Sequence, residues 1–264
     1  MPKFAANLST LFPELEFLDR FEAAARAGFS AVEIQFPYDH SAAAIRGYLE
    51  ANGLRLVMFN LPAGDWGRGD RGLGCLVDRE SEFRDGVERA LDYARALDCR
   101  QLNCLSGVAP AGGDLDRILD TFVGNLRHAA ARLAEWGMTL TIEPVNTRDV
   151  PGMFLAYSAQ AKKLIEAVAA PNLKIQFDLY HAQVMEGDLA HRLTRLLPLI
   201  GHLQIADNPG RHEPGTGEVN FPFLFDHIDR LGYAGWIGCE YRPLGDTHKG
   251  LGWLAPYRAG AGVL

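Results

Sequence analysis

Four short runs in the second half of the chain carry the clearest structural pattern: TLTIE at 139–143, KIQFD at 174–178, HLQIAD at 202–207 and WIGCE at 236–240. Side chains of a strand point alternately to two faces. In each run one face is apolar and the other is largely polar. Each run also places one oxygen-bearing side chain near its end, namely Glu143, Asp178, Gln204 and Glu240. Because the ends of parallel strands meet at one edge, the pattern predicts that these four side chains converge.

The rest of the chain repeats this unit of a strand followed by a helix. Strands are predicted to begin near Phe4, Val32, Leu56, Gln101, Leu140, Leu173, His202 and Trp236. Alternating elements of this kind are typical of a parallel sheet, and eight of them predict an α/β fold closed into a single (β/α)8 barrel, a TIM barrel. The length of 264 residues fits one such barrel, so a single domain over 1–264 is expected, with a frayed tail from about residue 258.

Helical periodicity is clearest over Glu16–Ala27, Ser81–Leu97 and Asp114–Trp136. Three connections that follow strands are longer than the others, at 61–80, 144–157 and 207–220. Loops after strands form the catalytic face of a barrel of this kind. The sequence therefore predicts that these loops contact the substrate, although any single residue in them could equally belong to a solvated turn.

The four strand-end side chains suggest a chemistry as well as a place. Three carboxylates and one amide are hard oxygen ligands that suit Mg²⁺ or Mn²⁺. A cation bound by Glu143, Asp178, Gln204 and Glu240 could hold a carbonyl and a neighbouring hydroxyl and stabilise an enediolate. Glu143 and Glu240 could then remove a proton from one carbon and return it to the next. The alternative for each carboxylate alone is a helix cap or an ion pair with an arginine.

Three further residues are candidates for contacts with the substrate. His181 follows Asp178 by three positions and could donate a hydrogen bond to a substrate oxygen, or could be a structural histidine. Arg211 and His212 lie in the loop after the seventh strand, where they could receive a carboxylate, or could simply be solvated. His202, deep in its strand, is expected to be a hydrogen-bonded interior residue.

Composition excludes several classes of function. A net charge of −7 disfavours nucleic acid and anionic membranes as partners, and no segment approaches the roughly 20 apolar residues of a membrane span. The N-terminal residues do not form a secretory signal, so a cytoplasmic location is expected. The four cysteines, which have no CxxC spacing, are expected to be free thiols. A homo-oligomer is compatible with the sequence, which does not determine the oligomeric state.

The same segments resemble a known enzyme family. IEPVN around Glu143, IQFDLYH around Asp178, HLQIADNP with HEPGTGE, and GWIGCEYRP around Glu240 are similar to the hydroxypyruvate isomerases, within the xylose-isomerase-like TIM barrels. FNLPAGDW and EFRDGVERALDYARAL strengthen the resemblance, which spans nearly the whole chain. It implies interconversion of hydroxypyruvate and tartronate semialdehyde, with Glu143 and Glu240 as the acid–base pair. It also implies that Gln204 replaces the histidine of related ketose epimerases among the metal ligands.

Three alternatives remain beside this interpretation. The 2-oxo-tetronate isomerases resemble the chain over the same length, although FNLPAGDW and EPVNTRDVPG favour hydroxypyruvate isomerase. Abasic-site endonucleases of the same superfamily use several zinc ions and a cationic groove, which the acidic balance disfavours. A sugar-binding barrel without activity would not need two glutamates at proton-transfer positions.

Overall fold

Eight parallel strands close into a barrel in which each strand pairs with its neighbours in chain order, and β8 pairs with β1. The computed structural model describes residues 1–257. Its strands are β1 (Lys3–Asn7), β2 (Ala31–Ile34), β3 (Arg55–Asn60), β4 (Gln101–Cys104), β5 (Thr139–Ile142), β6 (Leu173–Asp178), β7 (Ile200–Ile205) and β8 (Trp236–Cys239). All eight strands contain or adjoin the predicted starting points. The prediction of a (β/α)8 barrel is confirmed.

Helices follow the strands on the outside of the barrel. Within the described residues they are α1 (Arg20–Arg26), α2 (Ala42–Ala51), α3 (Glu80–Leu97), α4 (Leu115–Ala134), α5 (Ser158–Val168), α6 (Leu179–Met185), α7 (Leu189–Leu196), α8 (Phe221–Arg230) and α9 (Thr247–Gly250). Short 3-10 helices occupy Phe17–Asp19, Trp66–Arg68, Leu197–Leu199 and Leu251–Tyr257. None of the described helices is long and apolar enough to span a membrane.

Local sequence explains where the long helices begin and end. The carboxylate of Asp114 accepts hydrogen bonds from the backbone N–H groups of Asp116 and Arg117, at 3.0 and 3.2 Å, which caps α4. Gly137 follows α4 with a φ of 63°, a left-handed conformation that costs glycine little. The predicted helix over Glu16–Ala27 is split, because its first turn is tightened into the 3-10 helix before α1, as is common at helix starts.

The apolar core lies between the barrel and its helices. The outward-facing strand residues Leu140, Ile142, Ile175 and Phe177 are at most 1% exposed. Inside the barrel, polar residues such as Thr141, Gln176 and His202 are equally buried. Burial of polar groups is costly unless they are hydrogen-bonded. The polar interior predicted from the alternation is therefore present, and it lies directly below the carboxyl ends of the strands.

The remaining expectations about the fold concern loops, thiols and the tail. The connections from β3 to α3, from β5 to α5 and from β7 to α8 are long, as predicted, and all leave the carboxyl ends of their strands. All four cysteines are free and buried, which confirms the prediction for them. The predicted frayed tail from about residue 258 lies outside the described residues.

Candidate active site

The four strand-end residues lie together at one end of the barrel. Asp178 ends β6, Gln204 is paired with it in register on β7, and Gln204 is in turn paired with Gly238 on β8, two residues before Glu240. Glu143 directly follows β5. The exposed fractions are 5% for Glu143, 2% for Asp178, 0% for Gln204 and 6% for Glu240. Four polar side chains are thus held at the top of the barrel with almost no access to bulk water.

A cavity of about 110 Å³ lies above these strand ends, and both Glu143 and Glu240 line it. His181 and Arg211 line it too, together with Trp66 and other residues of the loops after β2, β3 and β5. A larger cavity of about 730 Å³ lies between α4 and α5 and contains none of the strand-end residues. We regard the smaller cavity as the candidate site because both glutamates line it and the larger cavity reaches neither.

Glu240 is held by four hydrogen-bond donors. Its Oε1 accepts from Arg211 at 2.7 Å and from Gln35 at 3.0 Å, and its Oε2 accepts from Gln204 at 2.7 Å and from Asn7 at 3.1 Å. Burial raises the pKa of Glu240 to about 7, and the positive charge of Arg211 opposes that rise. Glu240 therefore changes protonation close to neutral pH, a useful property for a proton-transferring group.

Glu143 has fewer partners. Its Oε2 accepts one hydrogen bond from Asn103 at 3.2 Å, and its Oε1 lies 3.8 Å from Nε2 of His181. Burial raises the pKa of Glu143 well above its ordinary value, and the negative charges of Glu240 and Asp178 raise it further. The negative charge of Glu240 therefore favours the protonated form of Glu143.

One carboxylate oxygen of Asp178 accepts a hydrogen bond from the backbone, and the other accepts none. Its Oδ1 accepts the backbone N–H of Tyr180 at 2.8 Å and so caps the start of α6. Its Oδ2 is buried and has no hydrogen-bond partner. Burial raises the pKa of Asp178 to about 6, against the opposing charge of Arg211. A buried oxygen without a partner is unusual in a native protein and indicates a place for a ligand or an ion.

The ring of His181 is oriented by the loop after β5. Its Nδ1 accepts the backbone N–H of Asn146 at 3.3 Å, and the side-chain nitrogen of Asn146 lies 2.6 Å from the same atom. Burial lowers the pKa of His181 well below its ordinary value. The neutral ring must then carry its proton on Nε2, which points towards Asp178 at 3.5 Å and Glu143 at 3.8 Å. His181 thus offers a hydrogen-bond donor to the cavity.

Arg211 reaches into the carboxylate cluster, whereas His212 does not. The Nη2 of Arg211 lies 2.7 Å from Glu240 and 3.6 Å from Asp178. Burial lowers the pKa of Arg211, but the surrounding carboxylates outweigh this effect and the pKa is raised. Its backbone φ of 57° is rare for a residue with a side chain, and such strain is often found at functional sites. The ring of His212 is directed at the carbonyl of Arg242, at 2.8 Å, and does not line the cavity.

Gln204 links the site to a further buried carboxylate, that of Glu33. Its Nε2 donates to Glu240 and to Glu33, both at 2.7 Å, while its Oε1 accepts from Gln176 at 2.7 Å. Glu33 on β2 is fully buried and also lies 2.6 Å from Nε2 of His202. His202 is therefore the hydrogen-bonded interior residue that the sequence predicted. In this arrangement Gln204 bridges two carboxylates through its nitrogen.

Several residues of the site were missed at the level of sequence. They come from the first half of the barrel: Asn7, Glu33, Gln35, Asn60 and Asn103. Each follows or lies within a strand with an ordinary apolar pattern, so no local motif distinguishes it. Trp66 and Arg71 lie in the loop at 61–80, which was predicted to contact the substrate only as a whole. One signal was available for Glu33, because an acid between Val32 and Ile34 in a buried strand requires partners.

The residues present fit a divalent cation. A carboxylate oxygen of Glu143, one of Asp178 and a ring nitrogen of His181 lie within 4.8 Å of one another. Oδ2 of Asp178 accepts no hydrogen bond, and the cationic Nη2 of Arg211 stands 3.6 Å from it. Carboxylate oxygens are the donors preferred by Mg²⁺ and Mn²⁺. This is the only such group of histidine, cysteine and acidic residues within residues 1–257.

The site and the fold define a class of protein: a barrel with paired glutamates over a cation-compatible carboxylate cluster. A family model described as xylose isomerase-like TIM barrel matches residues 21–257. The chain belongs to this family.

Similar proteins agree with that assignment. The chain is 52% identical to a hydroxypyruvate isomerase of Escherichia coli over 98% of its length and all of the relative's, and 51% identical to a 2-oxo-tetronate isomerase of Cupriavidus necator over 97% of this chain and 99% of that one. A crystal structure from Brucella melitensis, described as AP endonuclease, family 2, superposes with a TM-score of 0.96 at 49% identity, covering 98% of this chain and 100% of that one. The names of the two enzymes confirm the prediction of an isomerase.

Proposed function

We propose that this protein interconverts hydroxypyruvate and tartronate semialdehyde. The observation that carries the proposal is that Glu143 and Glu240, both buried, line one small cavity from different strands. Burial raises the pKa of both groups, to about 7 for Glu240, which suits them to proton transfer. The similarity to the hydroxypyruvate isomerase of Escherichia coli supports the same activity.

The reaction moves two protons and no other atoms. One glutamate removes a proton from C3 of hydroxypyruvate, which leaves an enediolate, and a proton is delivered to C2. The hydroxyl proton must also pass from the oxygen on C3 to the oxygen on C2. The Nε2–H of His181, held by Asn146, can donate to one of these oxygens while charge develops on it. Glu143 and Glu240 then carry the carbon-bound protons. Because the reaction is reversible, the glutamate that acts as the base in one direction acts as the acid in the other.

A divalent cation, Mg²⁺ or Mn²⁺, completes the proposal. Glu143 and Asp178 would hold it, with Gln204 and Glu240 as the further ligands expected from sequence. Gln204 would have to turn its amide, because its nitrogen faces Glu240 in this structure. When bound, such an ion supplies positive charge that stabilises an enediolate. Arg211, which contacts Glu240 and Asp178, would share the same carboxylates with it.

Proton NMR in deuterated water tests the proposal. The purified protein, supplied with Mg²⁺ or Mn²⁺, should convert hydroxypyruvate and place deuterium on C2 of tartronate semialdehyde. The variant Glu143→Gln measures the background of spontaneous enolisation. If the protein gives no turnover and no exchange above that background, the proposed activity is wrong.

The second candidate activity is that of a 2-oxo-tetronate isomerase. It is supported by the relative from Cupriavidus necator, which is 51% identical to this chain, nearly as much as the hydroxypyruvate isomerase of Escherichia coli. A neighbouring cavity of about 430 Å³ could accommodate a fourth carbon, because Gln35, Phe36 and Trp66 line both this cavity and the candidate site. Measuring kcat/KM for both substrates distinguishes the candidates. We expect the higher value for hydroxypyruvate, and a higher value for a 2-oxo-tetronate would select the second candidate.

Cleavage of abasic DNA is disfavoured despite the description of the Brucella melitensis structure. A net charge of −7 opposes binding to phosphates, and the described residues contain one cluster of metal-binding type. The partner is instead proposed to be a small anionic hydroxy-carbonyl acid, met in the cytoplasm, with neither nucleic acid nor membrane involved.

A further inference from the structure

A second arginine lines the candidate cavity, in the loop after β3. The guanidinium of Arg71 lies over the ring of Trp66, 4.2 Å from its centre. Its Nη1 donates to two backbone carbonyls, those of Asp70 at 2.7 Å and Trp66 at 3.1 Å. Its Nε and Nη2 make no hydrogen bond to any residue in 1–257. One edge of the guanidinium, with two nearly parallel N–H directions, is therefore available to a ligand.

The charge of Arg71 is also available. Among the described residues no carboxylate forms an ion pair with it, and its neighbour Asp70 is bound by Arg79 at 2.8 Å. The other arginine of the cavity, Arg211, is engaged by Glu240 and Asp178. An anion entering a cavity that already contains buried carboxylates needs a cation that those carboxylates do not neutralise. Arg71 is such a cation.

The backbone beside Arg71 is tightly fixed. Gly72 has a φ of 121°, and a Cβ at this position would come within 2.4 Å of the carbonyl oxygen of Leu105. Its N–H donates to the carbonyl of Ala63 at 3.1 Å. Trp66 in turn contacts the ring of Phe36, with 5.3 Å between the ring centres. The loop thus presents a preorganised guanidinium, which reduces the entropy lost on binding.

We propose that Arg71, stacked on Trp66, is the receptor for the substrate carboxylate. The inference rests on the proposed function and refines it. At the level of sequence, Arg211 and His212 were the candidates for binding the substrate carboxylate. A planar guanidinium edge matches a carboxylate with two hydrogen bonds. Glu143 and Glu240 line the same cavity as Arg71, so a substrate whose carboxylate is held at Arg71 has its remaining carbons in the space that the two glutamates also line. The site then selects hydroxy-carbonyl acids over uncharged sugars of equal size.

Calorimetric titration with D-glycerate, an unreactive hydroxy acid, tests the inference without requiring turnover. Arg71→Met should weaken glycerate binding by about 10- to 100-fold, the effect of losing charged hydrogen bonds. Arg71→Lys should restore part of the affinity, because it keeps the charge without the planar edge. Arg68→Met is the matched control, since Arg68 lies in the same loop but its side chain is 86% exposed and pairs with Asp65. The control should bind glycerate as the unsubstituted protein does.

Turnover adds a second measurement. Arg71→Met should raise KM for hydroxypyruvate by a similar factor and lower kcat less. Equal glycerate affinity in Arg71→Met and the unsubstituted protein would overturn the inference, as would an equal loss in Arg68→Met or no glycerate binding at all. Should Arg71→Met fail to fold, Arg71→Gln and Arg71→Lys decide by the same comparison. If glycerate binding depends on Arg71 but hydroxypyruvate is not converted, the carboxylate site stands and the proposed activity fails.

Discussion

Asp178→Asn should stabilise the metal-free protein while removing its response to metal. Burial raises the pKa of Asp178 from its ordinary 3.8 to about 6 in the folded state. Because the folded pKa is the higher one, the protonated carboxyl favours folding below pH 3.8, and this contribution is lost as pH rises to about 6. At about 1.4 kcal/mol per pKa unit, the loss amounts to about 3 kcal/mol.

Asparagine avoids this loss because it does not ionise, and its oxygen can still accept the N–H of Tyr180 that caps α6. Urea unfolding in EDTA should show the variant more stable by about 3 kcal/mol at pH 7 and by about 1 kcal/mol at pH 4.5. Asp92→Asn, an exposed site on α3, provides the control and should show no such difference.

Adding Mg²⁺ or Mn²⁺ should make the unsubstituted protein more stable than Asp178→Asn, which reverses the order of stability seen in EDTA. A bound ion stabilises the folded state by mass action, by about 4.1 kcal/mol at 1,000 times the dissociation constant, which exceeds the advantage of about 3 kcal/mol that the variant has in EDTA. The unsubstituted protein should gain this stability and Asp178→Asn should not. A variant less stable than the unsubstituted protein in EDTA at pH 7, or a stability gap that does not change between pH 4.5 and 7, would refute the electrostatic reasoning.

Three further outcomes are expected. Glu240→Gln should lower kcat/KM for hydroxypyruvate by about 10³-fold, the size of a general acid–base contribution, while circular dichroism shows an unchanged fold. Asp207→Ala should cost about 2–4 kcal/mol in urea unfolding and speed proteolysis of the loop at 207–220, because the buried carboxylate accepts four backbone N–H groups there. Phe122→Ala should cost about 3–5 kcal/mol in thermal unfolding, since this fully buried α4 side chain packs on Phe154.

For each of these three predictions, one result would contradict it. Retention of full turnover by Glu240→Gln would remove Glu240 from the chemistry. Unchanged proteolysis of Asp207→Ala would mean that the loop is held by other contacts. A loss below 1 kcal/mol for Phe122→Ala would mean that the core around α4 closes over the vacated space.

Much of the architecture could be read from local patterns. The alternation in TLTIE and KIQFD predicted strands with a polar inner face, and β5 and β6 have that face. Asp178 and Glu240 were placed at strand ends because each closes a run of alternating polar and apolar residues. The split before α1 was not predicted, since a 3-10 turn and an α-helical turn share nearly the same side-chain spacing.

The roles of individual site residues depended on contacts that no local pattern encodes. Arg211 was predicted either to receive a substrate carboxylate or to be solvated, yet its guanidinium contacts Glu240 and Asp178. His212, its neighbour, is directed away from the cavity. Adjacent loop residues look alike in sequence, and only the turn that holds Arg211 at a positive φ separates them.

The sequence by itself determined the number and order of the strands and the oxygen-bearing side chains at the ends of the last four, because period-two alternation is a local property of the backbone. The tertiary structure alone decided which residues of the first half join them. Asn7 donates to Glu240 across 233 positions of sequence, because β1 pairs with β8 when the barrel closes. Closure brings the two ends of the chain together, and no pattern within either end contains that contact.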